Sequence, residues 1–199
     1  MAYVIIGLGN PGPEYARTRH NAGRMAVELF ARHEDFPEFE LRKASKASVS
    51  KGTIDDEKIE LVLPEVSMNL SGKVAPVFVK SVKAAQKLLV IRDDLDLPLG
   101  TIKMTTYGRG SGGHKGVESI MRALKTKEFV QIKIGISAET PKGILKKPGT
   151  EEKVITHVIG KFSPKEDVVL KKVLERTAEA MRLFVTDGIE KAMLVANTR

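Results

Sequence analysis

Cysteine is absent from this 199-residue chain. That excludes disulfides, thiolate zinc sites, iron–sulfur clusters and a cysteine nucleophile, and it suits a reducing compartment such as the cytoplasm. Aromatic residues amount to 5%, too few for a stacking platform that grips single-stranded RNA. No apolar run approaches the roughly 20 residues that a membrane helix requires. The apolar stretch Ala2 to Leu8 is broken by Gly7, Gly9 and Asn10 and has no basic segment before it, so it predicts a strand rather than a signal peptide. Histidine occurs four times, as His20, His33, His114 and His157, and no two stand at metal-ligand spacing. A G-x-S-x-G elbow is also missing, which leaves a serine nucleophile without support.

What is present is an ordinary globular composition, 42% hydrophobic and 29% charged, at a length that suits one domain over residues 1–199. Lys and Arg number 33 against 25 Asp and Glu, a net charge of +8 that points to a polyanionic partner, most simply nucleic acid. Tyr3 to Gly7 and Leu88 to Ile91 are unbroken apolar runs, as in central strands buried on both faces. Ala44 to Gly52 and Lys58 to Leu63 flank Asp55-Asp56-Glu57 and predict an antiparallel hairpin. Further strands are expected over Thr101 to Thr106 and Phe129 to Ile136.

Helical spacing of Ala22, Met25, Ala26, Leu29 and Phe30 predicts a helix capped by Asn21. Others are expected from about Ser71, after Gly116, from Ser163-Pro164-x-Glu166 (a capping box with proline at the first position) and over Ile189 to Val195. Pro141 to Lys153 reads as a loop. Strands alternating with helices imply an α/β fold: a twisted mixed, mostly parallel sheet flanked by helices.

Gly7-Leu-Gly-Asn-Pro-Gly12 satisfies the G-x-G-x-x-G pattern after a strand. A dinucleotide site needs a helix starting inside the glycine run and an acidic residue ending a second strand about 20 positions on. Pro13 and the stripe-free segment Glu14 to His20 supply neither. These glycines instead hold an extended loop that aims Asn10 and His20 inward. In an open α/β sheet the crevice lies beyond the strands' carboxyl ends. Three polar groups belong there: Asn10, Tyr15 and His20; Asp93, Asp94 and Asp96; and the glycine-rich loop ending in His114. On residue chemistry alone, a His/Asp general base acting on water and a magnesium ion held by the aspartates stand level.

Gly7 to Gly12, Tyr15 and Thr18-Arg-His-Asn21 resemble the N-terminal signature of bacterial-type peptidyl-tRNA hydrolases. Met68-Asn-Leu-Ser-Gly72, Asp93-Asp-Leu-Asp-Leu-Pro98, Gly112-Gly-His-Lys-Gly116 and Val158-Ile-Gly-Lys-Phe162 with Ser163-Pro164 follow in the family's order. The resemblance implies cleavage of the ester between a peptide and the 3′-terminal ribose of tRNA, with no metal or other cofactor. It implies that His20 is the general base, that Asp93 orients it, and that Asn10 and Asn69 hydrogen-bond the peptide or the developing oxyanion. His114 would position substrate near the 3′ end, with Tyr15 and Met68 along the cleft. Lys103 and Lys133 match positions that face tRNA phosphate, and Arg109 assists. The implied partner is peptidyl-tRNA, bound by a monomer away from membranes.

Two positions depart from the family pattern: Lys115 replaces the usual Asn, and Asp94 the usual Glu. Lys115 cannot accept a hydrogen bond, and beside His114 its charge would lower that imidazole's pKa; phosphate binding is its other reading. The competing functions are a non-catalytic, splicing-factor-like RNA binder and a nicotinamide oxidoreductase. Presence of Asn10, His20, Asn69, Asp93 and His114 together argues against the first.

Overall fold

The computed structural model describes residues 1–198. Its first half runs β1 (Tyr3–Gly7), α1 (Ala22–His33), β2 (Glu40–Arg42), β3 (Ala47–Ile54), β4 (Glu57–Pro64), α2 (Ala75–Phe78) and α3 (Val82–Ala85). Then follow β5 (Leu88–Pro98), β6 (Ile102–Thr105), α4 (Lys115–Leu124), β7 (Val130–Glu139), β8 (Leu145–Lys146), α5 (Glu151–Ile159), α6 (Pro164–Thr186) and α7 (Ile189–Asn197). Short 3-10 turns cover Arg19–Asn21 and Met68–Lys73.

The sheet order is β2-β3-β4-β1-β5-β7-β6, with β8 paired to β7. Its centre, β4-β1-β5-β7, is parallel throughout, and antiparallel pairing is confined to the flanks. Apolar β1 and β5 take the middle because residues on both of their faces must be buried. On one face Ile5, Ile91 and Ile132 pack with Phe30 of α1 and Met181 and Phe184 of α6. On the other, Val4, Ile6 and Val90 pack with Val117 and Ile120 of α4. The predicted hairpin is β3–β4, closed by Asp55 and Asp56 at φ 45° and 67°, the left-handed pair that a tight two-residue turn demands. Ser163 and Glu166 make both bonds of the capping box that starts α6.

As expected, no helix begins in the glycine run: the chain stays irregular until the turn at Arg19. Three expectations need correction. The helix expected near Ser71 is a 3-10 turn followed by one turn of α2, where Pro76 sits at the start. The predicted loop 141–153 contains β8 and the start of α5; Thr150 caps that helix through the Lys153 amide at 3.3 Å, and its first turn is acidic rather than apolar. Asp93, Asp94 and Asp96 lie inside β5, not after it, because pairing with β7 continues through Asp94 and Gly135.

Candidate active site

A cleft of about 400 Å³ opens beyond the carboxyl ends of β1 and β4 and beside the second half of β5. Asn10 and His20 reach it from the segment after β1, Met68 and Asn69 from the turn after β4, and Asp93 from β5. His114 and Lys115 enter at the start of α4, and Val154, Ile155 and Val158 of α5 form an apolar wall. Gly72 lets the Met68–Lys73 turn touch α4: a Cβ there would lie 2.1 Å from the Ser119 carbonyl oxygen.

His20 is held by its neighbours. The Arg19 amide donates to the Gly160 carbonyl, and the Arg19 guanidinium grips both oxygens of Glu166 at 3.0 and 2.9 Å. The His20 imidazole Nδ1 lies 2.9 Å from Asp93 Oδ1, and the same oxygen lies 3.0 Å from Nε2 of His114. His114 is the N-cap of α4, and its Nδ1 accepts from the Val117 amide at 3.4 Å. An acceptor Nδ1 places the His114 proton on Nε2, where it is donated to Asp93. Burial alone would depress the His20 pKa, but the attraction and hydrogen bond of Asp93 outweigh it and hold His20 above the ordinary imidazole value. Burial wins at His114, helped by the charges of His20 and Arg92, so that ring is pushed below it. Burial opposes ionisation of Asp93, yet the two imidazoles hold its carboxyl far below the usual carboxylate range.

Asn10 is fixed at three points. Asn21, expected as a helix cap, occupies the cap position of α1 but makes no capping side-chain bond. Its amide instead reaches Asn10, accepting from the backbone N–H at 2.8 Å and donating to the carbonyl at 2.9 Å. Asn10 Oδ1 accepts from the Met68 amide at 2.8 Å, which leaves its NH₂ as the spare donor. Asn69 lies exposed within its turn and caps no helix.

A second cavity, about 570 Å³, is lined by Lys103, Arg109 and Lys133 with Thr105 and Asn197. Lys103 and Lys133 are cross-strand partners between β6 and β7, so both cations share one face. Gly112 lines both cavities. Tyr15 lines neither; its carbonyl accepts from the Thr18 amide and hydroxyl. Lys115 reaches outward to Glu151 at 2.9 Å, and it is not among the charges that depress His114.

The aspartates do not form the magnesium site weighed above: Asp94 faces Arg92 and Lys133, while Asp96 bonds Lys147 at 2.7 Å. His20, Asp93 and His114 do bring three donor atoms within 4.8 Å, from positions whose spacing gave no such signal. Hydrogen bonding accounts for all three atoms.

The peptidyl-tRNA hydrolase family model matches residues 4–199. The chain belongs to the peptidyl-tRNA hydrolase family. A peptidyl-tRNA hydrolase of Dehalococcoides mccartyi is 40% identical over 95% of this chain and 96% of its own length. One from Trichodesmium erythraeum is 40% identical over 98% and 88%. The crystal structure of the Acinetobacter baumannii peptidyl-tRNA hydrolase superposes with a TM-score of 0.86 at 31% identity, covering 99% of this chain and 95% of that one. The family's blocks, far apart in sequence, thus meet around one cleft. Sequence reasoning missed the Asp93 bond to His114, the role of Asn21 and the wall from α5.

Proposed function

We propose that this chain hydrolyses the ester joining a peptide to the 3′-terminal ribose of tRNA, with His20 as general base toward water and Asp93 as the group that orients it. The carrying observation is the 2.9 Å contact between His20 Nδ1 and Asp93 Oδ1. With its Nδ1 proton donated to Asp93, His20 keeps Nε2 free to take a proton from water. Asp93 stabilises the imidazolium that results. The spare NH₂ of Asn10 meets the developing oxyanion; one such donor is worth about 10²–10³ in rate. Asn69 and the apolar α5 wall contact the peptide, and His114, neutral in its depressed state, holds Asp93 from the far side. The chain works as a single domain and as a cytoplasmic monomer. Among the described residues no helix is long and apolar enough to cross a membrane.

Lys103, Lys133 and Arg109 receive tRNA phosphate, which supplies affinity without a sequence code. Replacing Lys103 and Lys133 together by alanine is expected to raise KM several-fold and flatten its salt dependence by about two counterions, with kcat little changed. An unchanged salt slope places the tRNA elsewhere.

The mechanism calls for no metal, and peptide release from purified peptidyl-tRNA tests this directly. Turnover is expected to survive excess EDTA. Loss of activity that added divalent ion restores would transfer His20, Asp93 and His114 from proton transfer to ion binding. RNA retention without peptide release would identify a binder instead.

A further inference from the structure

Arg92 is the largest fully buried side chain among the described residues, 1% exposed, and it immediately precedes Asp93 on β5. One nitrogen carries its bonds: Nη1 donates to the Asp93 carbonyl at 2.9 Å and lies 3.1 Å from Asp94 Oδ2. Nε and Nη2 are buried without any partner. Gly112 passes over Nη2, which would lie 3.3 Å from a Cβ at that position. Lys133, from the cationic cavity, approaches the same Asp94 oxygen at 3.6 Å.

A buried ion pair with idle donors is a poor way to stabilise a fold, since apolar residues of equal volume commonly do as well or better. Placement gives the better explanation. Side chains alternate along a strand, so Asp93 projects to one face while Arg92 and Asp94 project to the other. Bonding the carbonyl of Asp93 and the side chain of Asp94 to one nitrogen fixes the rotation of β5 at Asp93. That rotation decides whether a single carboxylate oxygen meets both imidazoles.

We propose that Arg92 is a positioning residue for the hydrolysis: its buried guanidinium, clamped between the Asp93 carbonyl and Asp94, aims the Asp93 carboxylate at His20 and His114. Through Asp94 and Lys133 the clamp is continuous with the cationic cavity. This inference rests on the reading of His20 and Asp93 as the reacting pair.

Because Nη1 alone makes both contacts, a lysine ammonium can replace it, and the donors left idle in arginine disappear. Arg92→Met alone removes the nearer of the two cations that face the buried Asp94 carboxylate, so the decisive variant is Arg92→Met/Asp94→Asn, which removes both charges of the clamp together. In steady-state cleavage of peptidyl-tRNA this double variant is expected to lower kcat about 10- to 100-fold, with KM within about threefold, as for a displaced catalytic group. Arg92→Lys is expected to recover most of that loss. Wild-type kcat in the folded double variant, a loss confined to KM, or an Arg92→Lys enzyme as slow as the double variant would each overturn the proposal. His20→Ala separates the two levels: if it is inactive while the double variant is normal, only the role of Arg92 fails; if it is fully active, the underlying mechanism fails.

Discussion

Alanine in place of His20 is expected to lower kcat by at least ~10²-fold while leaving KM for peptidyl-tRNA within about twofold. The expectation follows from a division of labour. Of the two imidazoles in the cleft, His20 keeps a nitrogen for water, since His114 has both of its nitrogens engaged, one with Val117 and one with Asp93. The cations proposed to receive phosphate line a different cavity from His20. Steady-state kinetics on purified peptidyl-tRNA, with tRNA binding measured in parallel, separate the two contributions. Wild-type turnover in His20→Ala would end the mechanism. For the unaltered enzyme, kcat/KM is expected to rise with pH through a pKa above the ordinary imidazole value, because the base works only when neutral and Asp93 holds its proton on.

Asp93→Asn is expected to have the second large effect, a loss of about 10²–10⁴ in kcat, by analogy with the asparagine variant of a Ser-His-Asp triad. An asparagine can turn its NH₂ toward His20 Nδ1, which then accepts and leaves the proton on Nε2, the wrong nitrogen for a base. The same change removes the attraction that raises the His20 pKa, so the ring becomes easier to deprotonate. The residual activity is therefore expected to persist to lower pH than in the wild type, although its maximum is far smaller. A variant that is merely misfolded would lose amplitude without moving the acid limb in that direction. An Asp93→Asn enzyme with normal kcat would detach the carboxylate from catalysis.

Elements whose signals are local were legible in the sequence. The β-branched run of β1, the Asp55-Asp56 turn and the Ser163/Glu166 box each state their structure within a few residues. α5 was not legible, since its apolar residues Val154, Ile155 and Val158 follow an acidic turn and face a cleft rather than the main core. β2 is exposed at all three residues, so it carries no alternation to read. At the site, the family blocks named His20, Asp93, Asn10 and His114, which do converge. Their bonding did not follow from that naming. Asn21 looked like a cap because its type and position suit one, and only the tertiary fold brings Asn10 within its reach. The sharing of one Asp93 oxygen between imidazoles 94 positions apart has no trace in spacing, nor does the burial of Arg92.

Gly112 lies on the boundary common to both cavities, and under the proposed function that shared boundary makes the pair of sites a gauge. A molecule that presents its ester on one side and its phosphate on the other must bridge a fixed span, and the second attachment then costs little because the first has already brought it near. Small acyl esters that end short of that boundary engage one site alone and forgo that advantage. Under the proposed function, selectivity against the many other esters of the cell is expected to come largely from reach.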